Sequence, residues 1–505
     1  MRTRDAFGSK RARRPVAASL LCWTLLLLSG CSVGPRYSRP AIPAPPEYKE
    51  LPPNWKTAQP SDQIAKGKWW EVFQDPQLNT LEEQINISNQ TLKAAQAQFE
   101  QARAIVRINR ANLYPSVAAG VNATRNHQSS HRPNGRLAPT NAYTDLQLPV
   151  DASYEADVWG RVRRTVEAAR ANAQASAADL ESVSLSLHAE LAADYFQLRT
   201  LDAEAQLLNS TVAAYEKALE LTENRYSGGV ASQVDVAQAQ TQLETTRAQA
   251  IELGVQRAQF EHAIAVLSGQ PASTLAVTPS PLASTPPLVP AGVPSDLLER
   301  RPDVAGNERR MAVANAQIGV AKAAYYPTIT LSASGGFEGS SITNWFNGPS
   351  GFILGGASAL VTALDAGRRR AVTDEARAAY DQSVAIYRET VLGAFQEVED
   401  SLAALRLLEE EARTQDAAVA AAGHSLTLST NRYKGGVATY LEVITAQSIA
   451  LTDQRTAVEI GGRRMVASVS LIRALGGGWN AANLPMARNE NRPQSATGQS
   501  GLSSD

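Results

Sequence analysis

The chain has 505 residues, with 48 Lys and Arg against 49 Asp and Glu, and a formal net charge of −1. That balance, with basic residues clustered only at the extreme N-terminus, argues against a nucleic-acid partner. Length alone suggests about three ordinary domains. None of the 26 prolines, however, falls between Pro149 and Pro271 or between Pro349 and Pro485. Unusually long, uninterrupted helices are expected there, because interior proline is so costly.

Arg2, Arg4, Lys10, Arg11, Arg13 and Arg14 precede an apolar run from Val16 to Leu28, the pattern of a secretory signal over residues 1–30. The signal ends in Leu28-Ser29-Gly30-Cys31, which resembles a bacterial lipoprotein box, so Cys31 is the expected lipid anchor. Cys22 would leave with the signal, and a disulfide would then be impossible. Losing six basic residues and Asp5 takes the formal charge to −6. Ser32 after the lipid site, rather than an Asp, favours the outer membrane.

Residues 31–70 read as a lipid-anchored extended segment, proline-rich from Gly34 to Pro60. A first repeat is expected over 71–269. Its helical pattern runs from Leu78 to about Asn112 and stops at Tyr114-Pro115. Val117, Ala119, Val121 and Ala123 then alternate with Ser116, Asn122 and Thr124, predicting a half-buried strand. After a polar loop, Arg125 to Asn141, the alternation is clearer. Leu146, Leu148, Val150, Ala152, Tyr154 and Ala156 face one way, and Asp145, Gln147, Asp151, Ser153, Glu155 and Asp157 the other. Asp145, Asp151, Glu155 and Asp157 are the expected polar lining. About 12 alternating residues exceed the usual globular strand and reach the 9 to 11 needed to cross a bilayer.

Long helices follow from Gly160. Leu187, Leu191, Tyr195, Leu198, Leu201, Ala205 and Leu208 step by three or four, a packing stripe with many small neighbours. Asn224 then opens the segment NRYSGGVASQVDVAQAQ. Gly228 and Gly229 suit a left-handed helix end. Ser232 with Asp235 suits a capping box at the next start.

Residues 270–296, with seven prolines, read as a linker. A second repeat over 297–485 follows the same plan. Tyr326-Pro327 stops a helix, and Ile329, Leu331, Ala333 and Phe337 alternate with Thr328, Thr330, Ser332 and Ser334. A poorly alternating return strand spans roughly Phe352 to Asp365. Trp345 and Phe346 in the connecting loop suit a membrane interface. A helix from Gly367 to Gly435 would be about 100 Å long. NRYKGGVATYLEVITAQ begins at Asn431, 207 residues after the first copy, with Gly435, Gly436, Thr439 and Glu442 in the matching places. Residues 486–505 look disordered.

The predicted fold class is therefore mainly α with a membrane β-barrel, four strands per chain in two internal repeats. Four strands cannot close a barrel with satisfied edges in lipid. Two chains would give eight strands around a filled interior, whereas three give twelve around water. The helices are too polar for lipid, so the two Gly-Gly turns would form the far tip of a periplasmic tube.

CSVGPRYSRP, WWEVFQDPQLNTL, ASYEADVWGRVRR, YFQLRTLDAE and the stretch from Val293 to Ser334 carry a resemblance, together with the two turns. The sequence resembles the outer membrane factor family of tripartite efflux systems, TolC- and OprM-like lipoproteins. That resemblance implies a homotrimer, a twelve-stranded barrel continued by a helical barrel, and passive export of drugs or other small molecules. The implied partners are a periplasmic adaptor protein, an inner-membrane transporter of the RND type, and outer-membrane lipid. It implies no cofactor beyond covalent lipid on Cys31. Arg225, Tyr226, Gly228 and Gly229, with Arg432, Tyr433, Gly435 and Gly436, match the tip that meets the adaptor and closes the entrance. Glu442 matches an acidic gate position, Asp235 is its equivalent in the first copy, and Thr445 departs from a second acidic position. For these acids the helix cap is an equally good reading.

An enzyme is not expected. Of five histidines only His127 and His131 are near neighbours, without a carboxylate at metal spacing. Two rivals remain open: a duct for type I protein secretion, and a pore-less, lipid-anchored coiled-coil scaffold.

Overall fold

The computed structural model describes residues 32–41, 44–50, 67–127, 129, 142–282, 285–287, 289, 294, 297–479 and 484. The signal segment, Cys31, His131 and the C-terminal tail lie outside the described residues. The chain forms two compact units. One draws on residues up to Pro40, 101–173 and 309–385; the other draws on 41–100, 174–308 and 386 onward.

The first unit carries one antiparallel sheet. Its strands are β1 (Ser116–Ala119), β2 (Asn122–Asn126), β3 (Tyr143–Ala156), β4 (Thr328–Gly339) and β5 (Gly351–Leu360). β3 and β4 are central, β1 and β2 pair with β3 on one side, and β5 pairs with β4 on the other.

The single first strand expected from sequence appears as two. Ala119 faces Val150 and Asn122 faces Gln147, so β1 and β2 keep one register along β3. The gap lies opposite Pro149. Gly120 donates to the Pro149 carbonyl at 3.0 Å, and Pro149 has no N–H to return the bond. Proline in a central strand is otherwise rare. Here glycine flanks it on both sides, Gly120 on β1's line and Gly336 on β4. A Cβ at Gly336 would come within 2.0 Å of the Leu148 oxygen.

The fourth strand is shorter than its expected limit at Asp365. Asp365 instead caps the next helix, accepting from the N–H groups of Gly367 and Arg369 at 3.1 and 3.2 Å. Ala366 and Gly367 turn the chain with φ of 52° and 87°.

Seven α-helices of more than ten residues are described: α1 (Pro76–Ser88), α2 (Gln90–Ala111), α3 (Arg161–Ser227), α4 (Gln233–Leu267), α5 (Pro302–Ala323), α6 (Arg368–Lys434) and α7 (Tyr440–Ala474). α3 and α6 have 67 residues each, and α4 and α7 have 35 each. Among the described residues no helix is long and apolar enough to cross a membrane.

The helix expected from Leu78 to Asn112 is broken at Asn89. Its backbone is extended there, its Oδ1 accepts from Leu92 N–H at 2.8 Å, and its Nδ2 donates to the Leu267 carbonyl. An N-cap thus restarts α2, with a partner 178 residues away in sequence.

The second unit has a dense aromatic core. Trp69, Trp70, Phe73, Leu78 and Ile85 are buried, as are Leu191, Tyr195, Phe196 and Leu198 of α3. Trp70 stacks on the His188 ring at 4.4 Å, and Phe73 meets Phe196 at 4.8 Å. Asp75 caps α1 and also accepts from the Tyr195 hydroxyl at 2.7 Å.

Part of the proline-rich linker is a docked strap. Val277 N–H donates to Glu261, and its carbonyl accepts from Arg257. The Thr278 carbonyl accepts from Arg199, and Ser280 N–H donates to Asp202. Residues 48–50 form a second strap on α6. There Lys49 and Glu50 N–H both donate to the Glu399 carboxylate, at 2.8 and 3.0 Å, and Arg406 holds the Glu50 side chain.

Candidate functional site

Pairing sorts the sheet into two chemically distinct faces. Leu148 faces Phe337, Ala152 faces Ala333, Tyr154 faces Leu331 and Ala156 faces Ile329, while Val117 and Ala119 face Ala152 and Val150. Because side chains alternate across a strand, these residues share one apolar face. β5 is small and apolar on both faces, so its own sequence hides its register. Its partners settle it. Ile353 and Ala357, opposite Gly335 and Leu331, join the apolar face, while Leu354 and Ser358 join the other.

The opposite face carries Asp145, Gln147, Asp151, Ser153 and Glu155, against Ser334, Ser332 and Thr330 of β4. Glu338, opposite Gln147, adds a carboxylate that the sequence reading missed. Continuing the two-residue step from Ser334 would have found it. Asp145 accepts from Gln147 at 3.0 Å, and Glu155 accepts from Arg161 at 2.8 Å. Asp157 lies one residue beyond β3. Its carboxylate accepts from the N–H groups of Val162 and Arg163, at 3.1 and 2.8 Å, where α3 begins. An acidic group there complements the helix N-terminus.

The strap that follows Cys31 belongs to this same unit. Val33 N–H donates to the Trp159 carbonyl at 3.1 Å, and Ser32 packs against Gly160, where a Cβ would lie 3.0 Å from its hydroxyl. Pro35 oxygen accepts from Arg164 and Asn315. Trp159 stacks on Tyr326 at 4.7 Å.

In the second unit the two Gly-Gly turns form a joined structure. α3 ends as Gly228, Gly229 and Val230 donate to the carbonyls of Asn224, Tyr226 and Arg225. The second turn repeats this: Gly435, Gly436 and Val437 donate to Asn431, Tyr433 and Arg432. Gly229 and Gly436 have φ of 74° and 75°. Ser232 and Asp235 exchange both capping-box bonds, at 3.0 and 3.2 Å. Glu442 accepts from Thr439 N–H at 3.3 Å and lies 3.5 Å from Arg432. Both acids are therefore helix caps by geometry, and Glu442 is an ion-pair partner as well.

Arg225 joins the turns. Its guanidinium carbon sits 4.8 Å from the centre of the Tyr433 ring, and its Nη1 donates to the Lys434 carbonyl at 3.2 Å. Tyr433 also meets Tyr440 at 5.1 Å, over Val443 and Ala239. Burial pushes the Tyr440 hydroxyl up to about 12, so it stays neutral. Tyr440 was not singled out by sequence reading, because its repeat counterpart is Gln233. Among the described residues no cluster of His, Cys, Asp and Glu could hold a metal ion.

Comparison with known proteins points the same way. The profile of the family described as outer membrane efflux protein matches residues 81–270 and 293–477. TtgC of Pseudomonas putida, a probable efflux pump outer membrane protein, is 32% identical over 91% of this chain and 95% of its own. CusC of Escherichia coli, a cation efflux system protein, is 30% identical over 90% of this chain and 97% of its own. The solved outer-membrane channel OprN superimposes with a TM-score of 0.81 at 29% identity, covering 89% of this chain and 100% of its own. The MtrE outer membrane channel of Neisseria gonorrhoeae gives 0.77 at 27% identity, over 89% and 99%. With its apolar-and-polar sheet, paired turns and matching profile, this chain belongs to the outer membrane efflux protein family and serves efflux at the outer membrane.

Proposed function

We propose that three copies of this chain close one twelve-stranded barrel and continue it as a periplasmic helical duct, the passive exit of a tripartite efflux system. The supporting observation is the sheet. Across the β3–β4 ladder one face is apolar and the other acidic and hydroxylated, and among the described residues the outer strands, β1 with β2 and β5, lack a second neighbour. In hydrocarbon each unpaired backbone group costs several kcal/mol, so an open sheet must find more strands. Sister chains supply them by rotation, and closure leaves Asp145, Asp151, Glu155 and Glu338 toward water.

In this reading the chain is built from two internal repeats, and Cys31 carries the lipid, tethered by the strap at Ser32 and Val33. The partners are a periplasmic adaptor at the Gly-Gly turns and an inner-membrane transporter, RND-type in the simplest case. Cargo is drugs or other small molecules. Relatives at similar identity are named for pyoverdine export, toluene efflux and cation efflux. Such variety on one scaffold fits a duct without a built pocket, with selection residing in the pump.

The test is native mass spectrometry of the detergent-extracted protein together with planar-bilayer recording. Trimers that conduct are expected. A stable monomer, or a trimer without conductance under any condition that opens its tip, would overturn the reading.

A further inference from the structure

The two turns share a sequence but use it differently. Arg225 of the first reaches across to Tyr433 of the second, which is buried with 5% of its surface exposed. The residues at the corresponding repeat positions are Arg432 and Tyr226, each 207 positions from its counterpart. Within the chain they do not meet this way. Tyr226 is 47% exposed, and Arg432 is exposed beside Glu442 of its own turn. One half of each turn's recognition surface is therefore used inside the chain, and the other half is left open.

Cyclic assembly gives those open halves an occupant. In a ring of three chains the turns alternate first, second, first, second, so the second turn of one copy abuts the first turn of the next. If each turn addresses its neighbour in the same sense, the contact seen inside the chain is repeated between chains. We propose that Arg432 lies over the ring of Tyr226 of the next copy and donates to its Ser227 carbonyl, as Arg225 does to Tyr433 and Lys434. Arg432 keeps Glu442 while doing so, because a guanidinium carries five donors and also an open planar face. Tyr226 is then an inter-chain contact whose loss would loosen the tip, and only the other parts of the turn remain for an adaptor. This inference rests on the three-copy reading above.

The test is a cysteine pair in the full-length protein in outer-membrane vesicles. Tyr226→Cys with Arg432→Cys, treated with a short bis-maleimide, should give covalent dimers and trimers on denaturing gels. Neither single variant should. Arg225→Cys with Tyr433→Cys should cross-link within the chain and leave monomer mobility. Native mass of the same samples separates the two ideas. A trimer whose Tyr226/Arg432 pair gives only monomer bands overturns the contact alone, whereas the absence of trimers overturns both. Bilayer recording adds a readout that cross-linking lacks. Tyr226→Ala and Arg432→Ala should conduct more than wild type, while Tyr226→Phe, which keeps the ring face, should conduct like it. Equal conductance for all the Tyr226 variants would also overturn the contact.

Discussion

α3 and α6 have the same length and end in the same turn, yet each grips its strap by a different means. On α3, Arg199 and Asp202 form a pair with 4% and 3% of their side chains exposed, and Asp202 also holds Arg257. At the position 207 residues on, Arg406 of α6 holds Glu50, with 42% and 22% of their side chains exposed. Two helices of equal length thus carry matching arginines at very different burial. The energetic weight of a conserved-looking arginine is set by what surrounds it.

Three experiments break or sharpen this contrast. The largest effect belongs to the arginines. Arg199→Ala removes one of the two arginines on the buried Asp202 carboxylate, which keeps Arg257 and the Ser280 N–H, and should cost about 1 to 3 kcal/mol of stability. Arg406→Ala, at a solvent-exposed pair, should leave the urea midpoint of the detergent-solubilised protein unmoved. Equal losses would show that burial does not distinguish the two straps.

Acid sensitivity comes next, and it too belongs to one helix. Burial lowers the His188 imidazole to about 4 and raises the Glu82 carboxyl beside it, at 2.6 Å. The folded histidine therefore refuses a proton that the unfolded chain accepts below its ordinary 6.5. Stability should fall as pH drops from 6.5 toward 4. Glu82 acts with the opposite sign, losing stability as pH rises past its ordinary 4.5, where the unfolded carboxyl ionises first. The α6 counterpart of His188 is Phe395. His188→Gln should flatten the acid-side loss of the urea midpoint. An unchanged slope would place its origin elsewhere.

The smallest effect should be equal in both halves. Gly229 and Gly436 have left-handed backbones, with no atom within 4 Å of an added Cβ. Alanine at either should cost only the backbone penalty, about 1 kcal/mol. A clear difference between the two midpoints would mean that one turn is packed more tightly in the assembly.

How legible all this is from sequence depends on range. Helix ends set by Gly-Gly and a capping box are local chemistry, and they were readable at Ser232 and Thr439. β3 alternates so strictly that its faces were plain. β5 does not, and only its pairing with β4 reveals which side Ile353 and Leu354 occupy. The break at Asn89 depends on a carbonyl far along the chain, and the grip on Val277 and Ser280 depends on Asp202 and Glu261. No window of sequence displays such contacts. The unequal use of Arg225 and Arg432 was equally hidden, because two similar local sequences, differing at Ser227 and Lys434, met different neighbours.

One feature of the sheet bears on how such a chain can vary. β2 and β3 are joined by sixteen residues, and β4 and β5 by eleven. That surplus of five accounts in full for the shift between copies, from 212 residues at Tyr114-Pro115 and Tyr326-Pro327 to 207 at the long helices. Lengthening a loop from eleven to sixteen residues costs roughly 0.3 kcal/mol in closure entropy. Insertion between Asn126 and Tyr143 is therefore nearly free in closure entropy, and it leaves the β2–β3 and β3–β4 ladder partners in phase. That stretch is where an epitope tag can be accommodated without retuning the rest of the molecule.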